Sequence, residues 1–394
     1  MSRRPNLLSL GIGLAAAGAG AAVGVAAERL AVGRALDERV PASGSEVPLG
    51  SIREVPVIVA ADDGTTLHVE VDEPAGRDPD DLTVVFSHGY GLNLDSWHFQ
   101  RLALRGKVRC VWWDQRGHGR SARGPVGSAT IDQAGSDLEA VIEATAPSGP
   151  LVLVGHSMGG MTVMALAARR PQLFADRVAG VGFVATSAGG LAQADFGLDR
   201  LGALVHRLGP GTLNLLSRRP RWVEATRRIG SDLEEVLVKR WSYASDVDPE
   251  LVDFAARMIA GTRIEVIGDF FPAFGTHDKR EALEAIRGRP VLVLAGDGDL
   301  MIPFDHGEEI ARLLPGAELA IVRDAGHLVM LEHPSLVTPH LVALIHRARR
   351  SLRDDVEPGE RVAVDLQGTT GVPRHRRGQG RRRSPLRRVR PRGT

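Results

Sequence analysis

The turn at residues 155–159 constrains the fold of this chain more than any other feature. It reads Gly-His-Ser-Met-Gly; an apolar run, 151–154, leads into it and a run compatible with a helix, 161–169, follows. A turn this tight strains the backbone of the central residue and leaves no room for side chains two positions before and after it. Glycines at both of these positions predict that the turn holds out the Ser157 hydroxyl at the end of a strand.

Gly-x-Ser-x-Gly between a strand and a helix is the pattern of a nucleophile elbow. The five residues alone are weak support, because this chain contains 46 glycines and such chains meet the pattern by chance. A serine hydroxyl is a poor nucleophile until a base takes its proton, and the base works best when a carboxylate orients it. A nucleophilic Ser157 therefore requires a histidine and an acid at the ends of other strands.

Two apolar runs further along the chain end in these residue types. The run 290–295 leads to Asp297 and Asp299, and the run 319–322 leads to His327. Buried parallel strands read as continuous apolar runs, so the candidate acid and base are predicted at the carboxyl ends of two such strands. The order serine, aspartate, histidine is the order that the α/β-hydrolase fold uses.

From residue 56 to residue 353 the chain resembles the α/β-hydrolase superfamily, with features of its serine esterases and lipases. Two further segments carry the resemblance: 86–91, Phe-Ser-His-Gly-Tyr-Gly, and 114–121, Asp-Gln-Arg-Gly-His-Gly-Arg-Ser, each after an apolar run. The resemblance implies an α/β fold with a mostly parallel central sheet flanked by helices and a helical cap inserted between strands 6 and 7. No metal and no organic cofactor are expected, because no cluster of potential ligands has metal-binding spacing.

The resemblance also implies a role for each candidate site residue. Ser157 attacks the substrate and His327 shuttles the proton. Asp299 orients the histidine, because the family's Gly-x-x-Asp-x-x-x-Pro pattern assigns the acid to the second aspartate after the strand. The backbone N–H groups of Tyr90 and Met158 form the oxyanion hole, which binds the charge that develops on the substrate carbonyl.

Several other polar residues near these motifs are predicted to be structural. His118 and His156 occupy positions that support loop packing in the family. His333 lies at the start of the last predicted helix rather than on a strand-end loop. Asp114 and Arg116 are predicted to form a buried ion pair that shapes the loop beside the site.

The predicted cap covers residues 191–285, which are more than one crossover helix needs. Apolar residues recur at helical spacing in three stretches of it, 198–208, 233–241 and 251–259. Near its return lie Phe270, Phe271 and Phe274, which belong to the core of the cap or line an apolar channel. The hydrolase core is then divided into two parts, 51–190 and 286–353.

The amino-terminal segment, residues 1–50, differs from the hydrolase core. Residues 7–27 carry no charge and follow Arg3 and Arg4, which favours a membrane anchor or a signal segment, followed by a linker. The pair of arginines resembles a twin-arginine export signal. A protein associated with a membrane of the cell envelope is expected, with an exported soluble form as the alternative.

The carboxyl-terminal segment, residues 354–394, is predicted to be a disordered tail. Ten arginines and no acid lie in 371–394, whereas the whole chain has a formal net charge of only +1. Glycine, proline and arginine cannot bury a core. The tail is suited to an anionic lipid surface or polymer. Nucleic acid is disfavoured because no aromatic residue interleaves the arginines.

The sequence thus predicts an enzyme that hydrolyses a carboxylic ester, or a related small and apolar acyl substrate, through an acyl-enzyme. The same triad serves carbon–carbon bond hydrolysis, perhydrolysis and amide cleavage in this superfamily, so these activities remain alternatives. An alternative of another class is a membrane-tethered ligand-binding protein that keeps the hydrolase scaffold without catalysis. The complete triad argues against it.

Overall fold

The computed structural model describes residues 47–74, 76, 81–191, 238–353 and 362–366. Several sequence predictions lie outside these residues. They are the uncharged segment 7–27, the cap stretch 198–208, most of the stretch 233–241 and the arginine-rich segment 371–394. No helix among the described residues has both the length and the apolar character needed to cross a membrane.

The strands of the described residues form one sheet. They are β1 (Val57–Ala60), β2 (Thr66–Asp72), β3 (Thr83–Ser87), β4 (Arg109–Trp113), β5 (Leu151–His156), β6 (Val178–Val184), β7 (Val291–Gly296), β8 (Glu318–Val322) and β9 (Val362–Leu366). Their order across the sheet is β1-β2-β4-β3-β5-β6-β7-β8-β9. Strand β2 pairs antiparallel with both β1 and β4, and every other pair is parallel. The predicted mostly parallel sheet is therefore confirmed.

The helices of the described residues flank this sheet. They are α1 (His98–Leu104), α2 (Ile131–Thr145), α3 (Met158–Arg169), α4 (Pro171–Arg177), α5 (Pro249–Gly261), α6 (Ile264–Thr276), α7 (Asp305–Leu313), α8 (Val329–Glu332) and α9 (Pro334–Ser351). Short 3₁₀ helices occupy Leu94–Trp97 and Glu281–Ile286. Because a crossover helix follows most strands, the parallel strands are covered on both faces.

Alternate residues of the central strands feed two hydrophobic cores, one on each face of the sheet. Val84 and Phe86 of β3 pack in a cluster with α1 and α9, whereas Val85 packs in a cluster with α2, α3 and α7. Helix α2 approaches α3 closely, since a Cβ built on Gly135 would lie 2.8 Å from the Cβ of Ala165. This packing fixes α3, and with it the end of β5, from which the candidate nucleophile projects.

The inserted helices α5 and α6 lie between β6 and β7 in the chain, as the resemblance implied for a cap. The apolar spacing in 251–259 predicted a helix, and α5 spans that stretch. Helix α6 packs over the carboxyl end of β5, where Val266 and Phe270 share an apolar cluster with Met158. The Tyr90 hydroxyl also donates a hydrogen bond of 2.5 Å to the Ile267 carbonyl of α6.

The carboxyl-terminal part of the chain departs from its prediction. Disorder was expected from residue 354 onward, but β9 (Val362–Leu366) pairs in parallel with β8 from Glu318 to Val322. The prediction is therefore wrong for this segment, whose sequence Val-Ala-Val-Asp-Leu has the β-branched residues of a strand. The binding of an anionic partner by 371–394 stays a prediction.

Candidate active site

Ser157 occupies the turn between β5, which ends at His156, and α3, which begins at Met158. Its φ of 52° and ψ of −119° are strained for a residue with a side chain. A Cβ on Gly155 would lie 2.3 Å from the Gly159 carbonyl oxygen, and one on Gly159 would lie 2.2 Å from the Ser87 carbonyl oxygen. Only glycine fits either position, so the predicted reason for the two glycines is confirmed.

The structure brings together the three side chains that the sequence pointed to. The Ser157 Oγ lies 2.9 Å from His327 Nε2, and His327 Nδ1 lies 2.7 Å from an Asp299 carboxylate oxygen. The other oxygen of Asp299 accepts hydrogen bonds from the N–H groups of Met301 and Ile302, at 2.8 and 2.9 Å. Three donors thus hold the carboxylate, and the carboxylate orients the imidazole so that Nε2 faces the Ser157 hydroxyl.

The orientation of His327 determines which ring nitrogen contacts the Ser157 hydroxyl. With Nδ1 donating its proton to Asp299, Nε2 carries the lone pair that accepts the Ser157 hydroxyl. Ser157, Asp299 and His327 are 7%, 5% and 5% exposed. Exclusion of water from this hydrogen-bonded chain strengthens its electrostatic interactions. The arrangement can take a proton from the hydroxyl and stabilise the imidazolium that results.

Asp297, the rival acid, lies away from His327. It follows the same strand, β7, but its side chain is 25% exposed and forms an ion pair of 3.3 Å with Arg323. The turn after β7 therefore sends the first aspartate toward solvent and the second into the site, and Asp299 is the aspartate that contacts the histidine.

The predicted oxyanion residues flank Ser157. A Cβ on Gly89 would lie 3.2 Å from the Ser157 Cβ and 2.6 Å from His156 Nδ1, so the loop that carries Tyr90 passes against the elbow. Met158 is the first residue of α3, whose leading N–H groups have no partner within the helix. Within the part of the chain that the structure describes, neither the Tyr90 nor the Met158 N–H donates to a protein acceptor. The oxyanion-hole role of these two N–H groups stays a prediction, and no bond among the described residues conflicts with it.

Two phenylalanines of the cap lie above this loop. Phe270 is buried in the cluster that contains Met158, which places it in the core between α6 and α3. Phe274 contacts the Tyr90 ring edge to face, with centroids 5.0 Å apart. The core alternative therefore applies to Phe270, whereas Phe274 lies beside the residue predicted to donate to the oxyanion.

Gln115 is a residue that the sequence motifs did not single out. Its side-chain amide donates to the His88 carbonyl at 2.6 Å and accepts from the Thr162 hydroxyl at 2.7 Å, and its N–H donates to His88 Nε2 at 2.9 Å. His88 Nδ1 donates to the Gly89 carbonyl at 2.7 Å. Burial, together with neighbouring His118, lowers the pKa of His88 to about 3, so the ring stays neutral. Gln115 thereby ties the Tyr90 loop to α3.

Three further histidines near the site are structural, as predicted. His156 donates to the backbone carbonyl of His327 at 2.9 Å, and burial, together with neighbouring His327, holds its pKa well below the usual value. His118 donates to the Arg116 carbonyl at 2.9 Å, and burial lowers its pKa to about 4. His333 donates to the Asp324 carbonyl at 3.1 Å. Each ring thus donates to a backbone carbonyl.

The predicted ion pair between Asp114 and Arg116 is wrong. The Arg116 guanidinium instead binds both oxygens of Asp137 on α2, each at 2.6 Å. Asp114 accepts hydrogen bonds from the N–H groups of Leu94 and Arg120, both at 2.8 Å. Asp114 and Arg116 are two positions apart in the loop, and their side chains bind different partners. Burial without a direct cationic partner raises the pKa of Asp114 to about 6.

The described residues contain no group of three or more histidine, cysteine, aspartate or glutamate side chains placed to hold a metal ion.

Comparison with known proteins assigns the chain to a family. A family model described as alpha/beta hydrolase fold matches residues 83–334. A non-heme chloroperoxidase from Streptomyces lividans is 28% identical over 296 residues, which cover 73% of this chain and 98% of that protein. A dihydrolipoyllysine-residue acetyltransferase component of an acetoin cleaving system from Pseudomonas putida is 29% identical over 269 residues. That match covers 67% of this chain, and the chain spans only 63% of the relative's length.

Solved structures agree with this assignment. A thermophilic esterase from Thermogutta terrifontis superimposes with a TM-score of 0.56 and is 26% identical in sequence. The match covers 76% of this chain and 98% of the esterase. The topology of the sheet, the site at the carboxyl ends of its strands and the family match all agree. The chain therefore belongs to the α/β-hydrolase family of enzymes.

Proposed function

We propose that the protein is a serine hydrolase that cleaves a carboxylic ester, or a related acyl substrate, through an acyl-enzyme. The observation that carries the proposal is the continuous hydrogen-bonded chain from Asp299 through His327 to Ser157, with contacts of 2.7 and 2.9 Å. The similarity to an esterase structure over most of this chain supports the substrate class.

Acylation begins with the attack of the Ser157 Oγ on the ester carbonyl carbon. His327 Nε2 takes the hydroxyl proton, and the Asp299 carboxylate stabilises the imidazolium. The carbonyl oxygen becomes negatively charged and is bound by the N–H groups of Tyr90 and Met158. The imidazolium then gives the proton to the departing alkoxide, so an alcohol leaves and the acyl group stays on the serine.

Deacylation uses the same groups in reverse order. A water molecule gives its proton to His327 Nε2 as its oxygen attacks the acyl carbonyl. The same two N–H groups bind the second oxyanion, and the carboxylic acid leaves when the proton returns to Ser157. No redox partner is needed, because each step only makes and breaks bonds at the acyl carbon.

A second candidate activity is perhydrolysis, which the similarity to a non-heme chloroperoxidase favours. Hydrogen peroxide then replaces water in the attack on the acyl-enzyme, and the product is a peracid. Ester hydrolysis and perhydrolysis share the acylation step. Assays of peracid formation with and without peroxide distinguish them.

A fluorophosphonate probe and a panel of p-nitrophenyl esters test the proposed function. The probe is expected to label Ser157, and the esters of increasing acyl length define the acyl specificity. A wild-type protein that takes up no probe and cleaves no ester, amide or carbon–carbon substrate would support the non-catalytic binding alternative instead.

Replacing Asp299 with asparagine is expected to lower ester turnover by about 10³-fold, because the amide no longer fixes the histidine tautomer or stabilises the imidazolium. Asp297→Asn is the matched control. The partly exposed Asp297 carboxylate pairs with Arg323 and not with His327, so the turnover of this variant is expected to stay within about threefold of wild type. Steady-state kinetics of both variants check this, and the opposite ranking would transfer the role to Asp297.

We propose that the uncharged segment 7–27 anchors the protein in an envelope membrane or exports it. Full-length protein is then expected in the membrane fraction or outside the cytosol. Deletion through residue 40 retains every described residue, since these begin at residue 47. That shortened protein is expected to be soluble and active. Cell fractionation with protease protection checks the prediction; full-length protein found wholly in the cytosol with its amino terminus intact contradicts it.

A further inference from the structure

Glu332 is a buried carboxylate beside the candidate base, and no described ion pair includes it. One of its oxygens accepts from the Ala244 N–H at 2.9 Å and from the N–H and hydroxyl of Ser245, each at 2.6 Å. Its other oxygen accepts from the Gly326 N–H at 2.5 Å. Four donors therefore replace the hydration that the charge loses on burial.

These donors belong to two separate parts of the chain. Gly326 immediately precedes His327 in the loop after β8. Ala244 and Ser245 belong to the segment 242–245 of the insertion between β6 and β7. The Glu332 carboxylate thus joins the loop that carries the candidate base to the insertion between β6 and β7. Because a carboxylate has only acceptors, both of its oxygens can bind backbone donors at once.

The segment 242–245 contacts the site loops at further points. The Leu328 N–H donates to the Ser242 carbonyl at 2.9 Å, so residues on both sides of His327 are tied to the insertion. A Cβ on Gly326 would lie 2.7 Å from the Ser242 carbonyl oxygen. A Cβ on Gly298, next to Asp299, would lie 2.6 Å from the Ala244 Cβ. The segment therefore packs against the loops of both the base and the acid.

We infer that Glu332 is a positioning residue that fastens the His327 loop to the insertion, so that the alignment of His327 with Ser157 depends on the segment 242–245. The inference rests on the proposed role of His327 as the base. The His327 imidazole is hydrogen-bonded to Asp299 and Ser157 and contacts the His156 ring, and the His327 carbonyl accepts from His156. The residues on either side of His327 are held to the insertion: Glu332 accepts from the Gly326 N–H, and the Leu328 N–H donates to the Ser242 carbonyl. A shift of about 1 Å in such a group lowers the rate of the chemical step by as much as about 10²-fold.

Glu332→Gln tests this role with nearly unchanged shape. A glutamine amide has one oxygen and one NH₂ group, whereas both Glu332 oxygens accept hydrogen bonds. In the variant, the NH₂ group must therefore face the Gly326 N–H or the N–H groups of Ala244 and Ser245, and that hydrogen bonding is lost. The turnover number for p-nitrophenyl acetate, per titrated active site, is expected to fall about 10- to 100-fold. The KM is expected to stay within about threefold, because the ester does not bind to Glu332.

Glu318→Gln is the matched control, because it removes a buried carboxylate at the amino end of β8, the opposite end from the site loop. Glu318 pairs with His340 at 2.7 Å and with Arg347 at 2.8 Å. This variant is expected to lower stability while its turnover number stays within about twofold of wild type. Ser245→Ala removes only the hydroxyl that donates to Glu332, and a fall in turnover of about two- to fivefold is expected.

A crystal structure of the Glu332→Gln variant separates this inference from the proposed function. The distance from His327 Nε2 to Ser157 Oγ is expected to exceed about 3.5 Å, beyond hydrogen-bond range, whatever the activity of the wild type. An unchanged contact overturns the inference, and so does a Glu332→Gln turnover number within twofold of wild type. If Glu332→Gln does not fold, a wild-type turnover number in Ser245→Ala overturns it. If the fluorophosphonate probe does not label the wild-type protein, the proposed function is contradicted instead.

Discussion

Replacing Ser157 with alanine is expected to lower ester hydrolysis by at least about 10⁴-fold and to abolish fluorophosphonate labelling. The hydroxyl is the only group at the elbow that can form the acyl-enzyme, and the groups of a triad act as a unit. His327→Ala is therefore expected to cost a similar factor. The double variant is expected to lose little more, because either single change already removes the activated nucleophile. Steady-state and single-turnover kinetics on p-nitrophenyl acetate measure all three.

The fold is expected to survive the Ser157 substitution. The Ser157 N–H donates to the Val184 carbonyl at 2.9 Å, and alanine keeps that bond. Glycine at 155 and 159 still provides the space that the turn needs. Thermal unfolding of the Ser157→Ala variant within a few degrees of wild type confirms an intact fold. Turnover near the wild-type rate in that variant would contradict the proposed mechanism.

The nucleophile turn could be predicted from the sequence because its constraint is local. The strained serine excludes side chains two positions away, and this exclusion is visible in the chain as two glycines. The strands that carry Asp299 and His327 were also predictable, because buried parallel strands are continuous apolar runs. Observed β7 and β8 differ from the predicted runs by one residue at one or both ends.

Contacts between distant segments could not be predicted in the same way. Arg116 pairs with Asp137, 21 positions along the chain, and nothing in the spacing distinguishes that acid from the nearer Asp114. Glu332 bonds to residues 87 and 88 positions away, and these bonds exist only because the insertion returns past the site. Strand β9 could not be predicted from its own residues, because a strand of five residues is stable only when it pairs with a neighbour, here β8. Such partners are set by tertiary packing, which local patterns do not encode.

The folded protein is expected to lose stability steeply on acidification, because it buries several histidines in neutral form. Burial lowers the pKa of His88 to about 3 and the pKa values of His118 and His277 to about 4. Burial also holds the pKa of His156 well below the usual value. In the unfolded chain these four side chains titrate near about 6.5. Between about pH 6.5 and pH 4 the unfolded chain therefore binds more protons than the native protein does.

The direction and size of the effect follow from this difference in bound protons. The free energy of unfolding rises with pH where the unfolded state binds more protons, so it falls as the pH is lowered. Each such histidine contributes about 1.4 kcal/mol per pH unit. Asp114 acts in the opposite direction, because its raised pKa of about 6 lets the native state bind a proton that the unfolded state lacks. The net slope is then about 4 kcal/mol per pH unit, which is large against a total stability of about 5–15 kcal/mol.

Urea unfolding at pH 7.5, 6.5 and 5.5 measures this slope. The free energy of unfolding is expected to fall by about 1 kcal/mol from pH 7.5 to pH 6.5 and by about 3 kcal/mol more by pH 5.5. His277→Gln is the matched variant, because a glutamine amide can replace the ring N–H that donates to the Ser187 carbonyl at 3.0 Å but does not titrate. The slope of its free energy of unfolding against pH is expected to be smaller by about 1.4 kcal/mol per pH unit, which corresponds to one proton. A stability that stays level or rises from pH 6.5 to 5.5 would show that the buried histidines take up protons in the native state.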